Sequence, residues 1–523
     1  MLPLTTPGLA RRWSLPLAVL AGLLLGLGMA PMGIWPATMA GVALVTWLFA
    51  GRRAGDAALH GLVMGVAMNT LVLHWIGVLG VAVAVGLVGI MSSWMLLFGI
   101  AVALLTTIRG WALWVPAAWV ALELFAGSVP FGGFPWVRLS LTALDQPLAG
   151  WFPFIGATGV SFLLALVANL ALTAILQPGR RWASAAIALV VFATGGALTL
   201  VGHDTPNRNV AVGLVQGNVN RVEKGTGSYA RSNTANNLSE TIFLLASNRA
   251  NNERPLDFIV WAENATDIDP RSDATTGQVV ESAVQLAGVP IFVGAVMDGP
   301  QPDTRQTSSL WWDPVTGIGG RYDKRNLVPF GEWIPFRDFL LPRLPVLKQI
   351  GRQSIPGTGP GVVDAPTTAH PGLRVGTIIC FELAWDSTSY DTIRGGAQVL
   401  TSQSNTNTYA GTFEVPQQTA LNRVRALETG REVVVSTLNG LSGLVGADGR
   451  MQHETSELTR ANRTFTVPLR TNQTLAVTLG ASPAVGLSVI SIAALVWAGV
   501  AAARRRRAAR LLTSSSESIG RAA

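Results

Sequence analysis

Three apolar runs in the second half of the chain end in residues that could do acid–base or nucleophilic chemistry. Glu263 follows the run "FIVWA", and Cys380 follows "VGTII". Between them, the segment "YDKRNLVPFGEW" supplies Lys324 and Glu332. Polar residues at the ends of strands commonly form the site of an α/β sheet. The pattern therefore predicts a site built from carboxylates, an ammonium group and a thiol.

Cys380 is the one cysteine in the sequence, which excludes an intrachain disulfide. A single cysteine after a β-rich run is usually a small buried hydrophobic residue. To act as a nucleophile, its thiol needs a base or a cation that favours the thiolate. No histidine stands at these run ends, so Glu263 and Lys324 are the candidates for those roles. Either alone is more often a solvated surface residue, so the interpretation depends on the combination with the cysteine.

The elements that must position these residues alternate in type from Asn209 onward. Short β-rich runs, among them "NVAVGLVQGN", "VPIFVGAV" and "EVVVSTLNG", are separated by amphipathic helix candidates at 228–248 and 416–429. Strands that alternate with helices over about 270 residues predict an α/β fold. We therefore expect residues 203–481 to form one α/β catalytic domain.

The rest of the chain has the composition of a membrane protein. Hydrophobic residues make up 49% of the sequence and charged residues only 13%, about half of the usual quarter. Apolar runs near the bilayer-spanning length fill residues 1–202, and another lies at 482–503. They predict a helical bundle of eight spans, at 15–30, 35–50, 57–75, 77–108, 111–126, 152–176, 182–201 and 483–503. Residues 504–523 are expected to be a disordered basic tail.

Basic residues at the ends of the apolar runs predict the orientation. The net charge of +8 divides into +5 for residues 1–202, −2 for 203–481 and +5 for 482–523. This placement indicates membrane topology and not nucleic-acid binding. Arginines lie at every second boundary, at 11–12, 52–53, 109, 180–181 and 504–507. With these on the cytoplasmic side, both termini are cytoplasmic and residues 203–481 lie on the outer face.

Three polar residues depart from this pattern. Arg138 is a basic residue in a loop, 128–151, that the alternation places outside. Glu123 and His74 lie within apolar runs, near the predicted outer ends of their spans. Both could line a site, because ionisable groups in lipid are costly, but contact with water is easy at that depth, so we expect both to be solvated.

Six motifs accompany the candidate residues. They are "QGN" at 216–218, "YDKRNLVPFGEWIP" at 322–335, "CFE" at 380–382, "RALETGR" at 425–431, "STLNG" at 436–440 and the loop "GFPWVRLSLTALDQPLAG" at 133–150. With these motifs the sequence resembles the nitrilase superfamily, whose members carry a Glu–Lys–Cys triad on an αββα sandwich, and most of all its apolipoprotein N-acyltransferase family. The resemblance covers about residues 10–503 and is most specific around Lys324.

The resemblance implies an activity and its partners. It implies an enzyme of the bacterial inner membrane that moves an acyl chain from a phospholipid, through a cysteine thioester, to an apolipoprotein. The acceptor would be the α-amine of an N-terminal S-diacylglyceryl-cysteine. The implied partners are the phospholipid donor, the diacylglyceryl-apolipoprotein acceptor and membrane lipids, with no cofactor, metal or nucleic acid. We expect a monomer.

The resemblance also implies the role of each site residue. Cys380 is the nucleophile and Glu263 the general base. Lys324 stabilises the oxyanion, together with a backbone N–H near Phe381. The implied supporting residues are Glu332, which positions Lys324, Glu382 and Phe381, and the implied substrate-binding residues are Asn405 and Trp333.

Three positions differ from the family's pattern. Phe381 stands where the family has tyrosine, and Gly225 and Thr408 stand where it has tryptophan. Because the triad is intact, these differences bear on contacts with substrate. The segment 333–351, "WIPFRDFLLPRLPVLKQIG", is apolar, basic and rich in proline. We interpret it as a mobile arm that touches lipid, the alternative being a loop and helix buried against the domain.

Two other functions fit part of the pattern. A membrane-tethered nitrilase-type amidase would share the triad and pass its thioester to water, but a tether needs one span and not eight. A non-catalytic lipid-binding scaffold would need no triad, so Glu263, Lys324 and Cys380 oppose it.

Overall fold

The structure, a computed structural model, describes residues 3–4, 8–201, 206, 208–219 and 226–520. These residues form two compact units. The first takes in residues from 1–150, 158–198 and 481–523, and the second takes in residues from 151–157 and 199–480. Gly225, one of the three positions that differ from the family's pattern, lies outside the described residues.

The first unit is helical, and each predicted apolar run contains one helix. Its helices are α1 (Arg11–Leu27), α2 (Trp35–Phe49), α3 (Ala54–Leu73), α4 (Val81–Leu105), α5 (Trp111–Ala126), α6 (Phe152–Leu176), α7 (Arg181–Leu198) and α14 (Ser482–Gly520). The first residues of α6, 152–157, belong to the second unit. Five helical segments of the described chain are long and apolar enough to cross a membrane: Ala54–Leu79, Val81–Leu105, Pro147–Leu176, Pro178–Leu198 and Ser482–Arg505. The other three helices, α1, α2 and α5, have 17, 15 and 16 residues. They are shorter than the ~20 residues that a bilayer core requires.

Glycines let three helices of this unit pack closely. A Cβ atom added to Gly22 of α1 would lie 2.3 Å from the carbonyl oxygen of Met64 in α3. A Cβ atom added to Gly61 of α3 would lie 2.3 Å from the carbonyl oxygen of Met95 in α4. A larger residue at either position would force the helices apart, as is typical of small residues between membrane helices.

Arg138 forms an ion pair inside this unit, which explains its departure from the charge pattern. Its Nε atom lies 3.6 Å from Oε2 of Glu123, and the side chains are only 9% and 7% exposed. The other Glu123 oxygen accepts the backbone N–H of Leu139 at 2.8 Å. The expectation that Glu123 is solvated is therefore wrong, whereas His74 is exposed. A buried, paired arginine is not a free cytoplasmic charge. Arg138 therefore does not contradict the placement of arginines at every second boundary of the apolar runs.

The last helix continues past the predicted span. The sequence predicts disorder from residue 504, but α14 extends to Gly520. Arginine, alanine and leucine are strong helix formers, and "RRRRAARLL" follows the apolar run without a glycine or proline. The disordered tail is therefore wrong up to Gly520, and residues 521–523 lie outside the described part of the chain.

The second unit contains two β-sheets. Its strands are β1 (Asn209–Gln216), β2 (Phe258–Val260), β3 (Ile291–Asp298), β4 (Thr304–Asp313), β5 (Gly317–Asp323), β6 (Gln353–Ser354), β7 (Val362–Asp364), β8 (Arg374–Ile379), β9 (Val399–Ser404), β10 (Val433–Thr437), β11 (Gly443–Val445), β12 (Met451–Gln452) and β13 (Ala461–Pro468). The first sheet has the order β13-β1-β2-β3-β4-β5, with β6 paired to β4. The second has the order β12-β11-β10-β9-β8-β7.

Helices cover the two sheets to give four layers. The helices are α8 (Thr226–Ala250), α9 (Ala274–Ala287), α10 (Arg337–Leu340), α11 (Asp386–Arg394), α12 (Glu414–Thr429) and α13 (Leu475–Leu479). Val212 and Trp311 of the first sheet share one apolar core with Val375 of the second. Val280 of α9 packs on the first sheet in another core, and α11 and α12 contact the second sheet. The layer order is the αββα sandwich expected for this unit.

Candidate active site

The candidate residues follow strands that share a direction within each sheet. In the first sheet β1, β2 and β3 are parallel, and β5 runs the same way after two antiparallel pairings. Glu263 follows β2, and Lys324 comes directly after β5. In the second sheet β8 and β9 are parallel, and Cys380 and Asn405 come directly after them. Carboxyl ends of parallel strands meet at one edge of a sheet, which brings these residues together.

Lys324 lies between two carboxylates. Its ammonium nitrogen is 3.2 Å from Oε1 of Glu263 and 3.0 Å from Oε1 of Glu332. The lysine is only 2% exposed. Burial by itself lowers the pKa of Lys324, but the two carboxylates outweigh burial and raise that pKa well above its usual range. The side chain is therefore a fixed positive charge at the site.

Backbone N–H groups hold the second oxygen of each carboxylate. Oε2 of Glu263 accepts the backbone N–H of Asn405 at 2.8 Å. Oε2 of Glu332 accepts the backbone N–H of Val328 at 2.8 Å. Both carboxylates therefore have one oxygen on Lys324 and one on the backbone, which limits their rotation. The structure places Asn405, an implied substrate-binding residue, directly against Glu263.

Cys380 begins the turn after β8 in an unusual backbone conformation. Its φ angle is 54°, in the left-handed region that non-glycine residues seldom adopt and that is enriched at active sites. The residue is partly buried, and its Sγ atom lies 3.8 Å from Nε2 of Gln418. Burial, followed by the charge of Glu263, raises the pKa of the thiol well above its usual range, against the lowering effect of Lys324. The resting thiol is therefore protonated, and its attack on a carbonyl requires a base.

The fully buried Glu382 connects the cysteine turn to the segment around Lys324. Its Oε1 atom accepts the Tyr322 hydroxyl at 2.8 Å and the backbone N–H groups of Arg325 and Asn326 at 2.9 and 3.1 Å. Its Oε2 atom accepts the backbone N–H of Ile379 at 3.0 Å. Burial raises the pKa of Glu382, although the backbone donors favour its ionised form. The side chain therefore orders the two segments that carry the thiol and the ammonium group.

The remaining predicted residues lie around this centre. Phe381 is buried and packs edge-on against Trp385, with ring centroids 4.8 Å apart. Trp333 is half-buried, directly after Glu332, and its carbonyl accepts the backbone N–H of Phe330. Thr408, which stands in place of a family tryptophan, is exposed.

The apolar segment after Trp333 is open to its surroundings. Phe336, Phe339 and Leu344 are 72%, 58% and 47% exposed. Its only described helices are the four-residue α10 and a short 3₁₀ turn at Pro345–Ile350. The alternative of a loop and helix buried against the domain is therefore wrong.

Two residues of α12 belong to the site without a signal in the sequence. Nε2 of Gln418 lies 3.4 Å from Oε1 of Glu414, as well as close to the cysteine sulfur. Glu414 is only 3% exposed. Their spacing of four places them side by side on a helix. No local pattern in the sequence indicates that this face of α12 is turned toward the ends of β2 and β8.

Different parts of the chain match two known protein families. Residues 21–171 match the model of the apolipoprotein N-acyltransferase N-terminal domain, and residues 242–475 match that of carbon-nitrogen hydrolases. An apolipoprotein N-acyltransferase of Mycolicibacterium smegmatis is 31% identical, over 92% of this chain and 83% of the relative. One of Vibrio cholerae is 25% identical, over 85% of this chain and 89% of the relative. Among solved structures, a nitrilase-superfamily amidase of Nesterenkonia aligns at 13% identity with a TM-score of 0.37, over 51% of this chain and 93% of that one.

Proposed function

The chain belongs to the apolipoprotein N-acyltransferase family, and from this premise we propose that its acyl transfer proceeds through a thioester on Cys380. The enzyme acylates apolipoproteins at nitrogen and uses lipoprotein and phospholipid substrates. The observation that carries the proposal is the buried Lys324 ammonium between Glu263 and Glu332, at the strand ends where Cys380 also lies. Acyl transfer needs a nucleophile, a base that takes its proton, and a positive charge that stabilises the oxyanion.

The first half-reaction loads the enzyme. Glu263 takes the proton of the Cys380 thiol while the sulfur attacks an ester carbonyl of the phospholipid. The Lys324 ammonium and a backbone N–H near Phe381 stabilise the oxyanion. When the ester C–O bond breaks, the lysophospholipid alkoxide takes the proton from Glu263 and leaves. The raised pKa of the thiol supports this order, because proton transfer must accompany attack.

The second half-reaction transfers the acyl chain to the apolipoprotein. The neutral α-amine of the diacylglyceryl-cysteine attacks the thioester carbonyl, and Glu263 takes a proton from the nitrogen. The C–S bond then breaks, the cysteine sulfur takes the proton from Glu263, and an amide is released. The position of Glu263, with one oxygen on Lys324 and one on Asn405, supports a base that serves both half-reactions.

The proposal includes the placement of the enzyme in the cell. We place the chain in the bacterial inner membrane as a monomer with eight spans and cytoplasmic termini. The second unit, including the triad, then lies on the outer face. The alternation of arginines at the boundaries supports this arrangement. The exposed phenylalanines of the segment 333–351 support its contact with lipid, where both acyl substrates are held.

Mass spectrometry of the intact protein tests the thioester. Purified enzyme incubated with phospholipid alone should gain the mass of one acyl chain on Cys380, and hydroxylamine should remove it. Cys380→Ser should lose the adduct and abolish transfer, because an alkoxide is far harder to generate than a thiolate. Near-normal transfer by the serine variant would exclude the covalent mechanism.

A second measurement separates the acyltransferase from an amidase-type hydrolase. The loaded enzyme is given either buffer or a synthetic diacylglyceryl-cysteinyl peptide. The acyl chain should appear on the peptide nitrogen, with little free fatty acid in the same period. Equal release of fatty acid with and without the peptide would favour water as the true acceptor.

A further inference from the structure

Glu414 presents an unsatisfied carboxylate beside the nucleophile. It is the first residue of α12, where an acidic side chain is usually solvated and interacts with the helix dipole. Here the residue is 97% buried, and its Oε2 atom makes no hydrogen bond within the described part of the chain. A buried carboxylate oxygen without a donor is costly, and each such case in a native site calls for an explanation.

The position of this carboxylate is given by Gln418, one helical turn later. The Gln418 amide nitrogen lies 3.4 Å from Oε1 of Glu414 and 3.8 Å from Sγ of Cys380. The charge of Glu414 acts on the pKa of Cys380, and that of Glu263 acts on the pKa of Glu414. Glu414 therefore shares the pocket of the thiol and the base, yet neither half-reaction above gives it a role.

We propose that Glu414 binds the α-ammonium group of the acceptor's N-terminal cysteine and takes its first proton. This inference rests on the proposed thioester. The acceptor arrives as R–NH₃⁺ and must lose two protons to become an amide. The positive charge of the arriving ammonium group favours the ionised form of Glu414, which takes one proton and releases the free amine. The amine then attacks the thioester carbon. Glu263 takes the second proton as the C–N bond forms and the C–S bond breaks. Glu414 returns its proton to water after the product leaves.

The electrostatic surroundings suit this proton transfer. Burial, then the carboxylates of Glu457 and Glu263, raise the pKa of Glu414 to about 8. Glu457 faces Glu414 from the segment before β13. Its Oε2 atom accepts the backbone N–H of Gly411 at 2.6 Å. The other groups at the pocket are Cys380, Lys324 and Tyr409. An α-ammonium group also has a pKa of about 8, so the proton can pass from it to Glu414 at little cost in free energy. An ordinary glutamate is a weaker base than the amine by a factor of roughly 10³–10⁴.

The test measures the two half-reactions separately in Glu414→Gln, which keeps the shape and removes the base. Acyl-Cys380 formation from phospholipid should stay within about threefold of the parent enzyme. Decay of the loaded thioester on addition of diacylglyceryl-cysteinyl peptide should slow about tenfold at pH 7, because only about a tenth of an amine with a pKa of about 8 is neutral at that pH. At pH 9.5 the peptide amine is already neutral, so the two enzymes should converge.

Two results would overturn the inference. One is equal slowing of both half-reactions, which indicates a merely structural role. The other is a transfer defect that is absent at pH 7 or unchanged at pH 9.5. Absence of an acyl adduct in the parent enzyme would instead refute the proposed thioester, so the two failures are distinguishable.

Glu457→Gln is the matched control. It removes the neighbouring carboxylate but keeps Glu414, so transfer should persist and its pH midpoint should move down. If thermal unfolding shows that Glu414→Gln does not fold, Glu414→Asp replaces it. The aspartate keeps the proton acceptor on a shorter side chain, so it should load normally and transfer more slowly at pH 7 only. Parent-like transfer by a folded aspartate variant would count against the contact with the amine.

Discussion

At the scale of residues, the surroundings fix the protonation states of the lysine and of the thiol. Glu263 and Glu332 keep Lys324 an ammonium ion although it is almost fully buried. Burial and Glu263 keep Cys380 a thiol. This differs from cysteine enzymes that rest as thiolates, where a nearby cation lowers the thiol pKa. Here the base has to act during attack, and the lysine charge is available for the oxyanion.

Two substitutions separate these roles. Glu263→Gln keeps the shape but cannot take a proton, and Lys324→Met keeps the length but removes the charge. Each should slow thioester formation by roughly a hundred-fold or more, the usual size for loss of a general base or an oxyanion donor. Alkali should partly rescue the glutamine variant, because more thiolate forms as pH rises. It should not rescue the methionine variant, since thiolate does not replace the missing positive charge.

The measurement is the rate of adduct formation on Cys380 between pH 7 and pH 10. Thermal unfolding of each variant serves as the control for folding. Rescue of Lys324→Met by alkali, with Glu263→Gln still inactive, would mean that the two roles are reversed.

At the scale of elements, one carboxylate joins the end of β5 to the end of β8. Glu382 accepts a hydroxyl and two backbone N–H groups from residues 322–326 and one backbone N–H from Ile379. The catalytic residues after two strands of different sheets are therefore held close together, because a single buried side chain accepts hydrogen bonds from both turns. Hydrogen bonds to a charged acceptor are among the stronger ones in proteins.

Glu382→Gln should therefore destabilise the second unit and slow thioester formation. The amide cannot accept four hydrogen bonds at these positions, so the free energy of unfolding should fall by about 2–4 kcal/mol. Tyr322→Phe is the matched control, because it removes one donor and leaves the carboxylate in place. It should lower the free energy of unfolding by only about 1 kcal/mol. Thermal unfolding and adduct formation are measured on both variants. If Tyr322→Phe cost as much as Glu382→Gln, the backbone contacts would not be the important ones.

At the scale of the whole molecule, the proposed topology can be tested with one background substitution. Cys380 is the sole cysteine, so Cys380→Ala provides a cysteine-free chain. In that background, Val315→Cys, at a position 89% exposed in the second unit, should react with a membrane-impermeant thiol reagent in intact cells. Gly179→Cys, beside the arginines at 180–181, should react only after the cells are opened. Labelling with the opposite sidedness would refute the orientation.

Much of this protein follows from the sequence alone, because the relevant signals are local. Apolar runs give the helices, and alternating β-rich and amphipathic runs give the α/β unit. Lys324 and Cys380 directly follow strands, as the pattern predicts. The helix α12 begins only two residues before its predicted start. The expectation of a disordered tail is wrong because its arginine, alanine and leucine residues favour a helix.

Contacts between distant segments were decided only by the tertiary structure. The ion pair of Arg138 with Glu123 joins a loop residue to a residue of an apolar run, and each alone resembles a solvated charge. Asn405 holds Glu263 through its backbone N–H, which no side-chain pattern encodes. Glu414 is buried beside Gln418, which contacts the thiol, because the packing of α12 on the second sheet turns its first residue inward. Burial then changes its acidity, and burial is a property of the folded chain rather than of any local segment.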